Sequence, residues 1–192
     1  MFCGSSPGRD PAYAAAATEL GRTLAERGVT VVYGGGSAGL MGALATGALD
    51  AGGHVVGVLP AGLFPDGVTA SPLQAHHTGS IELEEAADMH ARKARFHDLA
   101  DAYIVLPGGL GTLEEMAEVA TWAQIGLHDD PIGFLDVAGY YDDLFAFFDR
   151  TVAEGFVRVS NREQLYCAPS VPELLALLEA HEPRVEPKWI EP

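Results

Sequence analysis

Cations are scarce in this chain. Its 192 residues carry 11 Lys+Arg against 27 Asp+Glu, a formal net charge of −16 at neutral pH. A surface so acidic repels phosphate backbones and anionic membranes, which argues against nucleic-acid binding through bulk charge. Any anionic ligand must be held locally, by backbone N–H groups and a few placed cations. Cysteine is scarcer still. Cys3 and Cys167 are the only two, no C-x-x-C is present, and a reduced, cytoplasmic compartment is the expectation. No apolar run approaches the roughly 18 residues that a membrane span needs. The segment Met1-Phe2-Cys3-Gly4-Ser5-Ser6 lacks the basic and apolar regions of a signal peptide. The seven histidines offer no H-x-x-x-H or H-E-x-x-H spacing, so no metal site is expected.

What is present is apolar content and glycine. A composition of 48% hydrophobic and 20% charged residues supports a packed core and excludes a disordered tail. The length suits one domain, expected over residues 1–180 with a tail from 181 to 192. Along the chain the hydrophobic period alternates between strand and helix. Met1–Cys3 reads as the end of a short first strand. Asp10-Pro11 opens a helix through Arg27, which Gly28 stops. Thr30–Tyr33 is a strand running into a glycine-rich loop and a small-residue helix to about Ala51. His54–Leu59 is a strand; residues 60–80 read as an irregular active-site loop. Ile81–Ala86 is a short strand, and Asp88 caps a helix to about Ala100. Ala102–Leu106 is a strand ending in a second glycine loop, whose Thr112 opens a helix to about Ile125. Ile132–Leu135 (strand), Tyr140–Glu154 (helix), Tyr166–Ala168 (strand) and Pro172–Ala180 (helix) complete the α/β pattern. Parallel strands joined by helices make a doubly wound sheet that binds ligands at the carboxyl ends of its strands. Both glycine loops fall there.

Gly34-x-Gly36-x-x-Gly39 has the dinucleotide spacing in a strand–loop–helix context. The next strand ends Val58-Leu59-Pro60, however, without the acid that holds a ribose hydroxyl. Gly34, Gly35, Gly36 and Ser37 therefore stand either as a phosphate contact or as a loop whose glycines serve only close packing. The second loop, Pro107-Gly108-Gly109-Leu110-Gly111-Thr112, is the more specific. Its glycines let backbone approach a ligand, and free N–H groups at a helix N-terminus attract an anion without net positive charge. Glu114 and Glu115 lie in the first turn beyond it, as ordinary helix-start carboxylates or as groups with a chemical role. On a helical wheel Leu113, Met116, Ala117, Ala120 and Gln124 share one side, expected to face the sheet. Glu115, Glu118, Val119 and Trp122 share the other, and an exposed Val119 and Trp122 would imply a cover, most simply a second subunit. Arg92 falls within an apolar stripe of Met89, Phe96 and Leu99. Its guanidinium either snorkels to water or enters the cleft to bind phosphate or carboxylate.

Several motifs occur together in one order: Cys3-Gly4-Ser5-Ser6, Tyr33-Gly34-Gly35-Gly36-Ser37, Gly39-Leu40-Met41-Gly42 and Asp88-Met89-His90-x-Arg92-Lys93-Ala94. They continue with Pro107-Gly108-Gly109-x-Gly111-Thr112-x-x-Glu115 and Thr121-Trp122-Ala123-Gln124-Ile125-Gly126-x-His128. From about Cys3 to Ala168 the chain resembles the LOG (LONELY GUY) family of cytokinin riboside 5′-monophosphate phosphoribohydrolases, often labelled lysine decarboxylases. The resemblance implies a Rossmann-like homodimer that hydrolyses the N-glycosidic bond of N6-modified AMP, with no cofactor and an active site near the subunit interface. By position, Arg92 and Glu115 match the catalytic pair. Lys93, Gly108, Gly109, Leu110, Gly111, Thr112, Leu113, Glu114 and Thr121 match substrate contacts. Two departures stand out. An aromatic residue is usual where Leu110 stands, and the acid of the loop after the third strand has only Asp66 as its counterpart.

Two rival readings are weighed against it. A decarboxylase using pyridoxal phosphate needs a Schiff-base lysine, and the chain has only Lys93 and Lys188. A nucleotide or molybdenum-cofactor carrier would fit the glycine loops equally well. A carrier has no need of a carboxylate beside a phosphate, so Arg92 with Glu115 favours the enzyme.

Overall fold

The structure is a computed structural model that describes residues 1–62 and 77–183. Most of the expected loop at 60–80, Asp66 included, lies outside the described residues, as does 184–192. Two compact units divide the chain, Met1–Ala100 and Asp101–Pro192. Each carries a three-stranded parallel sheet, ordered β1-β2-β3 in the first and β4-β5-β6 in the second. The expected α/β class with parallel strands is observed.

In the first unit α1 (Pro11–Glu26) begins where Asp10 accepts the Ala12 N–H at 2.9 Å, with Pro11 at the first helical position. It buries Ala17, Leu20, Gly21 and Leu24 at the spacing of one helical face. It ends in a Schellman motif. Gly28, at φ +73°, donates to Ala25 O and Val29 donates to Leu24 O. α2 (Gly39–Asp50) packs on α1 at very short range. A Cβ on Gly21 would lie 2.1 Å from Leu44 O, and one on Gly47 would lie 2.2 Å from Thr18 O. The small-residue composition of α2 is the condition for this backbone-to-backbone crossing.

Strand β2 (His54–Pro60) runs between β1 (Val31–Tyr33) and β3 (Ser80–Ala86), in register Val32↔Val56↔Glu82. Both β2 neighbours are parallel, and its Val55–Val58 stretch is buried. The expected first strand is not an element of either sheet. Met1–Cys3 instead lies beside β1, where the Met1 amine donates to Val32 O at 2.8 Å. Cys3 is buried, as a strand-end reading anticipates. α3 (Met89–Leu99) is capped as expected by Asp88, whose Oδ1 accepts the Ala91 N–H at 2.8 Å.

In the second unit β5 (Ile132–Leu135) is wholly buried between β4 (Tyr103–Val105) and β6 (Leu165–Ala168). Phe134 centres an aromatic cluster, with Tyr141, Phe145 and Phe148 packed edge-on at 5.2, 5.0 and 6.4 Å. α7 (Val171–Glu179) closes over Gly133, whose missing side chain leaves room for Leu174. α4 spans Leu110–Gln124. The helix expected over Tyr140–Glu154 starts later, as α5 (Asp142–Ala153), after a 3-10 turn at Val137–Gly139. In that turn Ala138 sits at φ 57°, a left-handed position that helical periodicity cannot signal. The short α6 (Val159–Glu163) was not anticipated. His181, at the start of the expected tail, is tied down: its Nε2 donates to Asp129 O and its Nδ1 meets the Tyr166 hydroxyl. No helix among the described residues is long and apolar enough to cross a membrane.

Candidate active site

The first unit builds a socket for Arg92 at the carboxyl ends of β1 and β2. Its Nε donates to Val58 O, in β2, at 2.9 Å. Its guanidinium carbon stands 4.8 Å from the centroid of the Phe96 ring, one helical turn further along α3. Phe96 is buried and packs edge-on against buried Phe2 at 5.9 Å. On the other side lies Gly34, the residue after β1. A Cβ there would stand 2.6 Å from Arg92 Nη2 and 2.9 Å from Met41 Sδ. The structure thus unites two residues that the sequence singled out separately, Gly34 and Arg92. The expected stripe around Arg92 is corrected. Of its members only Phe96 is buried, and Met89 is 41% exposed. A strand carbonyl and one aromatic face hold the arginine, in place of an apolar helix face.

The rest of the first glycine loop has packing reasons as well. A Cβ on Gly35 would meet Leu59, and one on Gly36 would meet Met41. Gly39, at φ +61°, lies against the Ser5 carbonyl, and a Cβ on Gly42 would lie 2.2 Å from Ser37 O. Leu40, in the first turn of α2, donates its N–H to Gly4 O at 3.0 Å. Of the two readings of this loop, close packing accounts for each of its glycines. Lys93 is half-buried on α3.

The second glycine loop follows β4 and differs in kind. Beyond the chain neighbours and the helix's own backbone, no described atom lies within 4 Å of the Cβ position of Gly109 or Gly111, and neither has a positive φ. Among the described residues neither packing nor backbone conformation demands glycine there. Thr112 does not cap α4, contrary to expectation. Gly109 is the N-cap, no side chain caps it, and Thr112 is buried within the first turn. The cap therefore sits three residues sooner, and the first N–H groups of the helix belong to the loop itself. Leu110 is 86% exposed, Glu114 is exposed, and Leu113 and Glu115 are half-buried.

Two tyrosines hold this loop from behind. Tyr141 Oη donates to Leu106 O, and Tyr140 Oη donates to Gly108 O, each at 2.6 Å. Sequence reading missed both. Nothing but their adjacency to Gly139 marked them, and the contact spans more than 30 residues.

The two-faced reading of α4 is also corrected. Its buried residues are Thr112, Met116 and Val119. Val119 is 1% exposed and Trp122 is half-buried, so the chain itself covers Val119 and part of Trp122, and the exposed face expected for a second subunit is not observed. Met116, Ala117, Ala120 and Gln124, expected against the sheet, border a cavity of about 180 Å³ beside Phe148 of α5. Thr121 lines it too, its hydroxyl donating to Ala117 O at 2.6 Å. Among the described residues no group of three His, Cys, Asp or Glu side chains is placed to hold a metal ion.

Parallel strands, a glycine loop at their carboxyl ends and a helix start without a side-chain cap define a Rossmann-like fold class. The solved structures that resemble the chain agree on fold. They include the Moco carrier protein of Chlamydomonas reinhardtii (24% identity, TM-score 0.63, 91% of each chain). Another is the molybdenum cofactor binding protein of Rippkaea orientalis (22% identity, TM-score 0.62, 91% of this chain and 92% of that one). At such identities they speak for the fold alone. Sequence relatives are much nearer. Cytokinin riboside 5′-monophosphate phosphoribohydrolase LOG1 of Arabidopsis thaliana is 47% identical over 186 residues, 97% of this chain and 84% of its own. The LOG enzyme of Oryza sativa subsp. japonica is 46% identical over 186 residues, 97% of this chain and 74% of its own. The family model described as "Possible lysine decarboxylase" matches residues 41–178. The chain belongs to this LOG family.

Proposed function

We propose that the protein is a phosphoribohydrolase that cleaves the N-glycosidic bond of cytokinin riboside 5′-monophosphates, with AMP itself as a second candidate substrate, releasing free base and ribose 5-phosphate. The observation that carries the reading is the pair Gly109 and Gly111 at the start of α4, glycines that neither packing nor dihedral angles require. Backbone N–H groups there, at the positive end of the helix dipole, hold the 5′-phosphate without adding cations to a −16 chain. The relatives named above support the substrate class.

Breaking the ribosyl–base bond builds positive charge on C1′ as the bonding electrons leave with the base nitrogen. The Glu115 carboxylate stabilises that charge and orients the water that attacks C1′. Water oxygen ends on C1′, one of its protons is released, and the departing base takes up a proton. Arg92 is the second member of the pair. Held at Nε by Val58 O and stacked on Phe96, it contacts the substrate. Lys93, Thr112, Leu113, Glu114 and Thr121 complete the substrate contacts, with Gly34–Ser37 forming a wall beside Arg92. The protein works as a cytoplasmic homodimer with its sites near the subunit interface. The family model's description does not carry over to the chemistry. A pyridoxal enzyme needs a Schiff-base lysine, and Lys93, one of only two in the chain, sits next to Arg92 on α3.

The test incubates the protein with AMP and with N6-isopentenyladenosine monophosphate, following base and ribose 5-phosphate by chromatography. Base release that collapses in Glu115→Gln is the expected result. Binding of AMP without release of base from either nucleotide refutes the hydrolase and favours a carrier.

A further inference from the structure

The geometry points to Tyr140 as a positioning residue that selects the orientation of one peptide plane in the phosphate loop. The inference rests on the phosphate site proposed for that loop. The peptide joining Gly108 to Gly109 is flanked by glycine on both sides, so it can turn over with little steric resistance. Tyr140 Oη donates to the Gly108 carbonyl oxygen at 2.6 Å. No cis peptide bond is present, and in a trans peptide the N–H points opposite to the C=O. Holding the Gly108 carbonyl towards Tyr140 therefore turns the Gly109 N–H the other way. Gly109 is the N-cap of α4, with no described atom beyond its chain neighbours within 4 Å of its Cβ position. The hydroxyl of Tyr140 thus sets which way a loop donor faces.

The support behind Tyr140 is packed and hydrogen-bonded. Tyr141 is buried, its ring packs edge-on against Tyr140 at 5.0 Å and against Phe134 at 5.2 Å, and its N–H donates to Asp136 Oδ1 at 2.7 Å. Ala138, in the left-handed region, makes the turn that brings both tyrosines round. The two hydroxyls have different consequences. Tyr141 Oη bonds to Leu106 O, whose peptide runs into Pro107 and has no N–H to orient. Tyr141 fastens the loop; Tyr140 aims a donor.

Tyr140→Phe removes one hydroxyl from a ring that is 43% exposed, and Tyr141→Phe is the comparison. Binding of AMP, ribose 5-phosphate and adenine is measured by calorimetry, with thermal midpoints and steady-state constants alongside. For Tyr140→Phe, affinity for AMP and ribose 5-phosphate is expected to fall about three- to tenfold, the worth of one hydrogen bond. Adenine binding and the thermal midpoint stay as in wild type, and KM rises while kcat holds. Tyr141→Phe is expected to lower the midpoint and leave the ratio of AMP to adenine affinity unchanged. Equal weakening of all three ligands by Tyr140→Phe, or no weakening of the two phosphates, overturns the inference. If wild type binds AMP but hydrolyses neither nucleotide, the hydrolase reading falls while the binding data still judge Tyr140. Wild type that binds neither phosphate-bearing ligand overturns both.

Discussion

Replacing Gly34 by alanine separates what the chain needs in order to fold from what it needs in order to act. The new Cβ would stand 2.6 Å from Arg92 Nη2 and 2.9 Å from Met41 Sδ. Comfortable contact begins at about 3.5 Å, so the guanidinium must withdraw by close to 1 Å. Both obstacles are tips of flexible side chains, and Gly34 has no left-handed φ, so the main chain keeps its path. Withdrawal weakens the Nε bond to Val58 O and the stacking on Phe96. A charged hydrogen bond contributes about 1.5–3 kcal/mol and a cation–π contact about 0.5–1 kcal/mol. Losing part of each lowers stability by about 2 kcal/mol, or about 4–8 °C in Tm at this chain length. The rate suffers more, because a misplacement of about 1 Å in a group that positions substrate costs on the order of 100-fold. The assay is kcat/KM for base release from N6-isopentenyladenosine monophosphate, with Tm by circular dichroism. Gly39→Ala is the contrast. There the Cβ meets the Ser5 carbonyl carbon at 2.3 Å and φ is +61°, so backbone must move and the fold itself is lost or severely weakened. A Gly34→Ala protein that folds and keeps wild-type kcat/KM would refute the assignment of this socket to catalysis.

Two further outcomes follow from α3 and its surroundings. The Ala91 N–H, and after it the His90 N–H, holds the Asp88 carboxyl below its ordinary value. A group lowered in the folded state contributes stability above its unfolded pKa and loses it as pH falls through the folded one. The Tm advantage of wild type over Asp88→Ala is therefore expected at neutral pH and shrinks through and below the usual carboxylate range. An advantage that is flat from pH 7 to pH 3 contradicts this account. Phe96→Leu and Phe2→Leu each remove buried ring area and should each lower stability by roughly 1–2 kcal/mol. Only Phe96 lies under the guanidinium, so only Phe96→Leu is expected to reduce kcat/KM as well, by about threefold. Equal activity in the two variants removes Phe96 from the socket.

Much of the architecture was legible because it is written in local chemistry. Asp10-Pro11, Gly28 and Asp88 mark helix ends through hydrogen bonds that reach only two to five residues along the chain. The apolar runs at His54–Pro60 and Ile132–Leu135 mark buried parallel strands because both of their faces are covered. Errors arose where a local pattern admits two outcomes. Thr112 is a good capping residue, yet Gly109 takes the position and Thr112 is buried within the first turn. Val119 and Trp122 shared a wheel face with two acids, and a wheel gives no information on which face the chain buries.

The sequence by itself determined most of the order of elements, the two glycine loops after their strands and the family to which the chain belongs. Those depend on residue types at fixed short spacings. Tertiary structure alone decided what each glycine is for. Gly34 yields to an arginine from α3, Gly39 to the Ser5 backbone, and Gly109 to open space. It alone brought Val58 O to Arg92 and Tyr140 to Gly108 across 34 and 32 residues. The absence of a side chain has no sign in sequence until the structure shows what stands in its place.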